Sequence, residues 1–458
     1  MPSPNDAARE GDRLLNPESE SESLTRDNDS TTYPPSSQVS AQRSPSKWTT
    51  ILPPGSLLLR ITASMFSFVV LGTMVSTLGV MVPQFEDYYE LTDLGVSFVF
   101  LVWPVGYVAA AYLNSAVHLR FGQRGIAALG PLFHVIFTAA AAFHPSFPVL
   151  LVALAVGSLG TGILDGSFCA WAGGMENANV VQGFLHGSFS AGAAMGPFLA
   201  GTMLSVGDLP WYTWYYVLLG ASILEAIILL LAFRFEDSNK YRNDHQQDRL
   251  LETQGETLPD AKIAIFKHSV TWICAAYFLA YVGTENAISG WIVVFMQRVN
   301  HASDYLASLS SSGFWIGQAA GRLVLGVVTD RIGVRTATTI YLIAALAFEL
   351  LFAAIHVPAV SIVTITLLGF CLGPLFPAGI VMMTRLLPRE LHVGAISFVV
   401  LLGQIGGALL PFALGALADT LGIRVFQVVV FAQLVATLLI WFAFPTLPRN
   451  TLRRERLE

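Results

Sequence analysis

Long apolar segments alternate with short polar ones along most of the chain. Each apolar segment holds roughly 18 to 25 residues, the length that an α-helix needs to cross the hydrocarbon core of a membrane. Twelve such segments lie around residues 58–82, 94–117, 125–143, 147–172, 183–206, 211–235, 269–297, 305–329, 336–356, 358–384, 391–418 and 423–445. The pattern therefore predicts an all-α membrane protein with twelve transmembrane helices.

Polar segments divide this pattern into domains. Residues 1–56 are rich in Ser, Pro, Asp, Glu and Arg, a composition that favours disorder, and we expect them to form a cytosolic tail. The charged segment 236–267 separates the sixth apolar segment from the seventh and is typical of a linker. The predicted organisation is two six-helix bundles, at 57–235 and 268–446, joined by this cytosolic linker and followed by a cytosolic tail at 447–458.

Composition and charge agree with a membrane protein. Hydrophobic residues make up 54% of the chain and charged residues 12%, whereas about 25% of the residues in soluble domains are charged. The formal net charge of −6 says little, because orientation in a membrane depends on where Lys and Arg lie. If both termini are cytosolic, only Arg298 and Arg424 of the 25 Lys and Arg lie on the outer side, and we adopt this orientation.

The sequence indicates neither an enzyme nor a channel. Cys169, Cys274 and Cys371 lie in apolar segments without CxxC or Cys/His spacing, which is typical of small core residues. A membrane enzyme would need a nucleophile with a base, or a ligand cluster, and a channel would need repeated rings of charge. We therefore expect no catalytic residue, no metal, no cofactor and no nucleic-acid partner.

One charged loop has the most specific pattern. Residues 321–335, GRLVLGVVTDRIGVR, contain Gly-x-x-x-Asp-Arg-x-Gly-x-Arg, which resembles the short cytoplasmic loop between the second and third helices of each half in the major facilitator superfamily. The resemblance implies a cytoplasmic gate formed by Arg322, Gly326, Asp330, Arg331, Gly333 and Arg335. The alternative is a solvated basic turn that only reflects the excess of positive charge in cytosolic loops.

A partial copy of this loop occurs earlier in the chain. The segment 115–124, SAVHLRFGQR, keeps Arg120, Gly122 and Arg124 in the same frame, so we include these three in the predicted gate. Two copies in corresponding places indicate an internal repeat, which is how many secondary transporters are built.

Further motifs resemble the fucose-permease branch of this superfamily and its fungal relatives, the bypass-of-stop-codon group. They are Tyr281-Val-Gly-Thr-Glu285 with Gly290-Trp291, Gly183-Phe-Leu-His186-Gly187 with Gly196-Pro197, Gly373-Pro374-Leu-Phe-Pro377, and Pro411-Phe-Ala-Leu-Gly415. The resemblance implies a secondary transporter that moves a small organic solute across the bilayer by alternating access, and we expect it to be monomeric.

Two departures from the family pattern bear on the substrate. Where the family carries an Asn-Asp pair, Gly72-Thr73 is followed by Met74, and where it has an asparagine four residues after an acid, the acid is Asp165 and the asparagine is replaced by Cys169. Because hydroxyl groups need hydrogen-bond partners, these losses favour a less hydroxylated substrate, such as a fungal metabolite that is exported. The alternatives are a sugar or sugar-like nutrient importer, and a non-transporting sensor with the same fold.

Three ionisable residues in the membrane segments are candidates for proton coupling. A charged carboxylate costs at least about 2.5 kcal/mol at the centre of the bilayer, so Glu285 needs a reason to be there, and Tyr281 shares its helix face. Asp165 and His186 could exchange a proton near neutral pH. We expect Glu285, Asp165 and His186 to couple transport to protons. The alternative is static hydrogen bonding between helices.

Polar and aromatic residues of other segments are candidates for the substrate cavity, since such sites lie near the midplane. They are Trp103, Ser190, Tyr281, Asn286, Trp291, Trp315, Gln318 and Gln404. For each aromatic residue the alternative is packing between helices.

The N-terminal tail carries a candidate sorting signal. Glu10, Leu14 and Leu15 form an acidic dileucine pattern, which is short enough to occur by chance. We expect a multi-pass protein of the plasma membrane, with a vacuolar or endosomal membrane as the alternative.

Overall fold

The computed structural model describes residues 55–175, 178–240, 265–388 and 391–445. The dileucine pattern at residues 10–15, most of the linker and the C-terminal tail lie outside these ranges. Almost all of the described residues are helical, and none of them lies in a strand. The prediction of an all-α protein is confirmed.

Twelve α-helices follow one another along the described residues. They are α1 (Gly55–Tyr89), α2 (Asp93–Ala142), α3 (Phe147–Gly173), α4 (Ala178–Ser205), α5 (Tyr212–Ala232), α6 (Ser269–Arg298), α7 (Asp304–Ile332), α8 (Val334–Ala354), α9 (Pro358–Leu372), α10 (Leu375–Leu386), α11 (His392–Leu421) and α12 (Val425–Ala443).

Helices and membrane crossings do not correspond one to one. The 50-residue helix α2 is broken at Gly122, where φ is 68° and ψ is −165°. Tyr89 precedes α2 and Pro145 follows it, and the Tyr89 hydroxyl donates to the Pro145 carbonyl at 2.6 Å. Both ends of α2 therefore lie close together, so this helix crosses the membrane twice. Helices α9 and α10, separated only by Gly373 and Pro374, form one crossing. The described part of the chain thus makes twelve crossings.

The two copies of the charged loop occupy corresponding places. In the first copy, a Cβ on Gly122 would lie within 2.6 Å of the carbonyl oxygen of Glu236, and the Arg124 N–H donates to that oxygen at 2.9 Å. In the second copy, the Arg335 guanidinium donates to the Phe444 carbonyl at 3.1 Å. Each loop therefore packs on the chain that leaves the last helix of its half, α5 or α12, as an internal repeat requires.

A buried polar cluster ties four crossings of the first half together. Glu225 of α5 accepts a hydrogen bond from Ser67 of α1 at 2.6 Å and pairs with His134 of α2 at 2.8 Å. The other ring nitrogen of His134 lies 3.1 Å from the Thr161 hydroxyl of α3. Because Glu225 and His134 are fully buried, both depend on the other members of this cluster for their hydrogen bonds.

The two halves meet closely at the end of the protein that carries Arg298, which we call the Arg298 end. A Cβ on Gly79 of α1 would lie only 2.1 Å from the Ser289 carbonyl oxygen of α6, and one on Gly201 of α4 would lie 2.3 Å from Ser308 Cβ of α7. Only glycine allows backbones to approach so closely. The contact at this end therefore depends on residues without side chains.

An ion-pair cluster closes the same end. Arg298, the last residue of α6, donates to Glu86 at 2.5 Å and to Asp93 at 2.7 Å. Glu86 lies between the first two predicted segments, 58–82 and 94–117, but α1 continues through it to Tyr89. The extra turns bring the Glu86 carboxylate to Arg298, which accounts for the longer helix.

The halves separate toward the opposite end, which we call the Arg335 end. Helices α4 and α7 touch from Gly201 as far as Ser190, whose hydroxyl accepts from Arg322. Beyond that contact, a Cβ added at Gly183 or at Gly326 would meet no atom of the described residues within 4 Å. We call this gap between α4 and α7 the cleft. The structure is therefore closed at the Arg298 end and open at the Arg335 end.

The close approach at Gly79 predicts that a larger side chain holds the Arg298 end open. Gly79→Leu places atoms where the Ser289 carbonyl now lies, so the halves cannot close. The test uses a protein that lacks the native cysteines and carries one cysteine at Ser97, which is buried between α2 and α11. We expect Gly79→Leu to increase the maleimide labelling of this cysteine several-fold.

A matched control is Gly220→Leu, since a Cβ at this position of α5 would meet no described atom within 4 Å. It should leave the labelling unchanged. Equal labelling of the Gly79→Leu variant and its parent would show that this contact does not control closure.

The buried cluster predicts unequal roles for two buried glutamates. Glu225→Leu removes the partner of His134 and Ser67 and should lower the free energy of unfolding by about 3–5 kcal/mol, the cost of breaking a buried pair. Glu349 of α8 is equally buried, but its oxygens accept no hydrogen bond from the described residues.

Glu349→Leu should therefore change the free energy of unfolding by less than about 1 kcal/mol or increase it, because no partner is abandoned. Unfolding of the purified protein in detergent measures both variants. Equal destabilisation would contradict the structural distinction between the two acids.

Candidate functional site

The candidate site is centred on Arg322, where the two halves touch at the head of the cleft. Its guanidinium donates to the Ser190 hydroxyl of α4 at 2.9 Å and to Gln318 Oε1, one turn earlier on α7, at 2.9 Å. It also lies 3.8 Å from the Glu285 carboxylate of α6. The side chains of Arg322 and Glu285 are 26% and 12% exposed. One partly exposed cation thus contacts groups of both halves.

Two tyrosines of α6 link this site to the break between α9 and α10. The Tyr281 hydroxyl, beside Glu285, donates to the Leu372 carbonyl at 3.3 Å, and the Tyr277 hydroxyl donates to the Leu375 carbonyl at 3.0 Å. A proline without an N–H interrupts the helix and leaves carbonyls free, and the tyrosines satisfy carbonyls on both sides of the interruption. The break is therefore held by the helix that carries Glu285.

On the other wall, a second group of ionisable residues surrounds Cys169 of α3. Its Sγ lies 3.5 Å from Asp165 Oδ1 and 3.9 Å from His186 Nε2. Sequence reasoning paired Asp165 directly with His186, and the structure places the thiol between them. Cys169, which replaces the asparagine of the family pattern, thus contacts both Asp165 and His186.

The two groups are connected along α4. Ser190, which accepts from Arg322, donates its own hydroxyl hydrogen to the His186 carbonyl at 2.9 Å. His186 is exposed on the same helix and interacts electrostatically with both Asp165 and Arg322. All three proton-coupling candidates therefore lie within one chain of neighbouring groups that runs from α3 through α4 to α6 and α7.

The remaining candidates for the substrate cavity divide into two sets. Three of them hold helices together: the Trp315 indole donates to the Ser289 hydroxyl at 3.0 Å, the Trp291 indole donates to the Pro411 carbonyl at 2.9 Å, and the Asn286 amide lies against α11. Trp103 of α2 and Gln404 of α11 are half-buried. The structure gives neither of these two a hydrogen bond to the described residues.

The predicted gate residues do not form one group in this structure. Asp330 and Arg331 are exposed at the Arg335 end, and neither forms an ion pair with another described residue. Arg322 lies eight residues earlier on α7, about 12 Å along the helix, in the site just described. The family resemblance placed Arg322 among the gate residues, whereas its contacts in the structure are with Ser190, Gln318 and Glu285.

Sequence reasoning missed the ion-pair cluster at the Arg298 end. The signal was present, since Arg298 is one of two cations predicted on the outer side and the first outer loop carries Glu86 and Asp93 without a cation. A few arginines and a set of acids on the same side of the membrane favour an ion pair.

Comparisons with known proteins agree with this architecture. The family model described as the Major Facilitator Superfamily matches residues 64–301 and 273–458. Bypass of stop codon protein 6 of Saccharomyces cerevisiae is 27% identical over 412 residues, covering 84% of this chain and 82% of that protein. Membrane protein MosC of Rhizobium meliloti is 24% identical over 373 residues, covering 80% of this chain and 85% of that protein.

The fold also matches a solved structure. The crystal structure of a D-xylose-proton symporter superposes with a TM-score of 0.68 at 12% identity, covering 86% of this chain and 98% of the other. The prediction of two pseudo-symmetric six-helix halves with the major facilitator fold is confirmed. This chain is a multi-pass membrane protein that belongs to the Major Facilitator Superfamily.

Proposed function

We propose that this secondary transporter moves a small organic solute by alternating access and couples that movement to protons through Glu285. The observation that carries the proposal is the contact of Arg322 with Ser190 of one half and Glu285 of the other, at the head of an open cleft. A charged group that touches both halves changes its partners when the halves move. Occupancy of the cleft and conformation are linked at this point.

Proton coupling follows from the chemistry of Glu285. A carrier that uses a proton gradient must bind the proton and the solute in a linked way, which requires an ionisable group near the solute. Glu285 lies 3.8 Å from Arg322 and 12% of its side chain is exposed, so it can reach the contents of the cleft. Asp165, with Cys169 and His186 beside it, supplies a second protonation site on the opposite wall.

The composition of the site favours a charged or polar solute other than a sugar. The head of the cleft holds a guanidinium and a carboxyl group, with one serine hydroxyl and one glutamine amide. A sugar site is lined by many neutral hydrogen-bond partners. The D-xylose-proton symporter is the observation in favour of a sugar, but at 12% identity the likeness concerns the fold alone.

Orientation and gating follow from the position of the basic residues. We infer that the Arg335 end faces the cytosol, because all Lys and Arg of the described residues except Arg298 and Arg424 lie toward that end. The structure is then open to the cytosol and closed to the outside. Asp330 and Arg331, exposed in this state, would pair with groups of the other half when the cleft closes, and so would stabilise the outward-open state.

Glu285→Gln tests the coupling. The amide keeps the shape and hydrogen-bonding capacity of the acid but cannot ionise, so it should abolish accumulation against a gradient while sparing exchange. Proteoliposomes are given a yeast metabolite extract with and without a pH gradient, and solutes inside them are measured by mass spectrometry. The parent protein should accumulate at least one solute above its outside concentration, and the variant should only equilibrate that solute.

The matched control is Glu349→Gln, a buried glutamate of the outer helix α8, which should behave like the parent. Undiminished accumulation by the Glu285→Gln variant would show that Glu285 does not couple transport to protons, and Asp165 would be tested next. If no solute entered with either protein, the transport proposal itself would be wrong.

Asp330→Asn tests both the gate and the orientation. In a variant without native cysteines, a cysteine at Gly187, on the exposed face of α4 in the cleft, should react with an impermeant maleimide only after the cells are permeabilised. Loss of the Asp330 charge should increase this labelling, because it weakens the closed state of the cleft.

Asp208→Asn, an exposed acid at the other end with φ of 48° that asparagine also tolerates, serves as the control. Labelling of intact cells would overturn the orientation. Equal labelling with and without the Asp330 charge would show that the loop at 321–335 only sets the orientation of the protein in the membrane and does not act as a gate.

A further inference from the structure

We propose that Arg322 binds the anionic group of the transported solute, so that the substrate is a small organic acid carried as its carboxylate. This deepens the proposed function and rests on it, since it assigns a substrate class to the same site.

The guanidinium of Arg322 has more donors than acceptors around it. Arginine carries five N–H donors and no acceptor. Its two hydrogen bonds go to the neutral oxygens of Ser190 and Gln318, both at 2.9 Å, and the Glu285 carboxylate at 3.8 Å lies beyond hydrogen-bond distance. With 26% of the side chain exposed, the remaining donors are available to a ligand in the cleft.

Gln318 adds a second donor without an acceptor. Because Arg322 only donates, the amide atom that faces it must be the oxygen, and the NH₂ group is then left over. Gln318 is completely buried, and its Nε2 has no hydrogen-bond partner among the described residues. A buried donor without an acceptor costs about 1–3 kcal/mol, so a ligand acceptor that reached this amide would remove that penalty.

The charges of the site select the sign of the ligand. The titratable groups that face Glu285 and Arg322 are Tyr281 on the same helix as Glu285 and, on the other half, His186 with Asp165 behind it. When Glu285 is protonated, Arg322 keeps its full charge and only neutral oxygens bind it. A carboxylate then forms charge-assisted hydrogen bonds, whereas a cation is repelled and a neutral solute leaves the charge uncompensated.

Proton and anion should therefore bind together. The proton neutralises the carboxyl group that otherwise competes for Arg322, and the bound anion favours the protonated form of Glu285 by the same free energy. The transported pair carries no net charge, so the membrane potential does not oppose it. A purely structural Arg322, which only bridges Ser190 and Glu285, would give no preference for the charge of a ligand.

The test measures binding of matched acids and amides to the purified full-length protein. The probes are lactate, benzoate and nicotinate, each compared with lactamide, benzamide and nicotinamide, and the readout is thermal unfolding together with tryptophan fluorescence. At mildly acidic pH we expect at least one acid to bind saturably, and its amide to bind roughly tenfold or more weakly, the size of one hydrogen bond to a charged group.

Variants of Arg322 distinguish a role in binding the anion from a role in holding the helices together. Arg322→Gln should remove the preference for the acid over the amide. Arg322→Lys should keep the preference for the acid at lower affinity, because lysine retains the charge but lacks the two parallel donors that match a carboxylate. This second variant keeps the proposal testable if Arg322→Gln does not fold. Arg424→Gln, at an exposed position before α12, removes the same charge outside the site and should change nothing.

The dependence on pH distinguishes this proposal from the one on which it rests. Acid binding to the parent should weaken as the pH rises, because a charged Glu285 competes with the acid for Arg322, whereas the Glu285→Gln variant should bind equally at every pH at which the probe remains a carboxylate. Acid binding that needs Arg322 but ignores pH in the parent would support the anion site and contradict proton coupling through Glu285. Equal binding of acids and amides, no binding of any acid, or an unchanged preference in Arg322→Gln would overturn the anion site.

Discussion

An arginine inside a membrane needs both acceptors and water, and Arg322 obtains them only where the two halves of this protein meet. Its partners belong to three helices, α4, α6 and α7, and its remaining surface faces the cleft. Moving the halves apart or together changes how many acceptors the guanidinium has. The free energy of the open state is thus connected to the charges around one side chain.

The contacts at the two ends differ in kind. At the Arg298 end, glycine-mediated backbone contacts such as Gly79 with Ser289 are joined by the Arg298 ion pairs. At the Arg335 end, the exposed Asp330 and Arg331 have no ion-pair partner in the described part of the chain. Close packing favours the closed end in this state, and unused charges at the other end are available for the opposite state. Alternating access needs this balance, since neither arrangement can be much more stable than the other.

Most of the fold could be predicted from the sequence. Apolar length gave the number of crossings, and the glycine and arginine spacing of residues 321–335 indicated the superfamily. The errors lie where tertiary contacts override local signals: α1 continues past residue 82, where the predicted segment ended, because Glu86 reaches Arg298, and the crossing at 358–386 is broken at Gly373 and Pro374. The site was harder to predict. Helical periodicity places Tyr281 and Glu285 on one face of a helix. The contact between Arg322 and Ser190, which belongs to the other half, depends on the folded structure and cannot be predicted from periodicity.

The hydrogen bonds of Tyr277 and Tyr281 to the carbonyls on either side of the α9–α10 break have a mechanical consequence. An interrupted helix bends more easily than a continuous one, and here the bend is fastened to α6 at two points one turn apart. Tyr281 also lies beside Glu285, so any change in the position of that carboxyl group pulls on one side of the bend. The bend of the tenth crossing and the position of the Glu285 side chain are thus mechanically connected through these two hydrogen bonds.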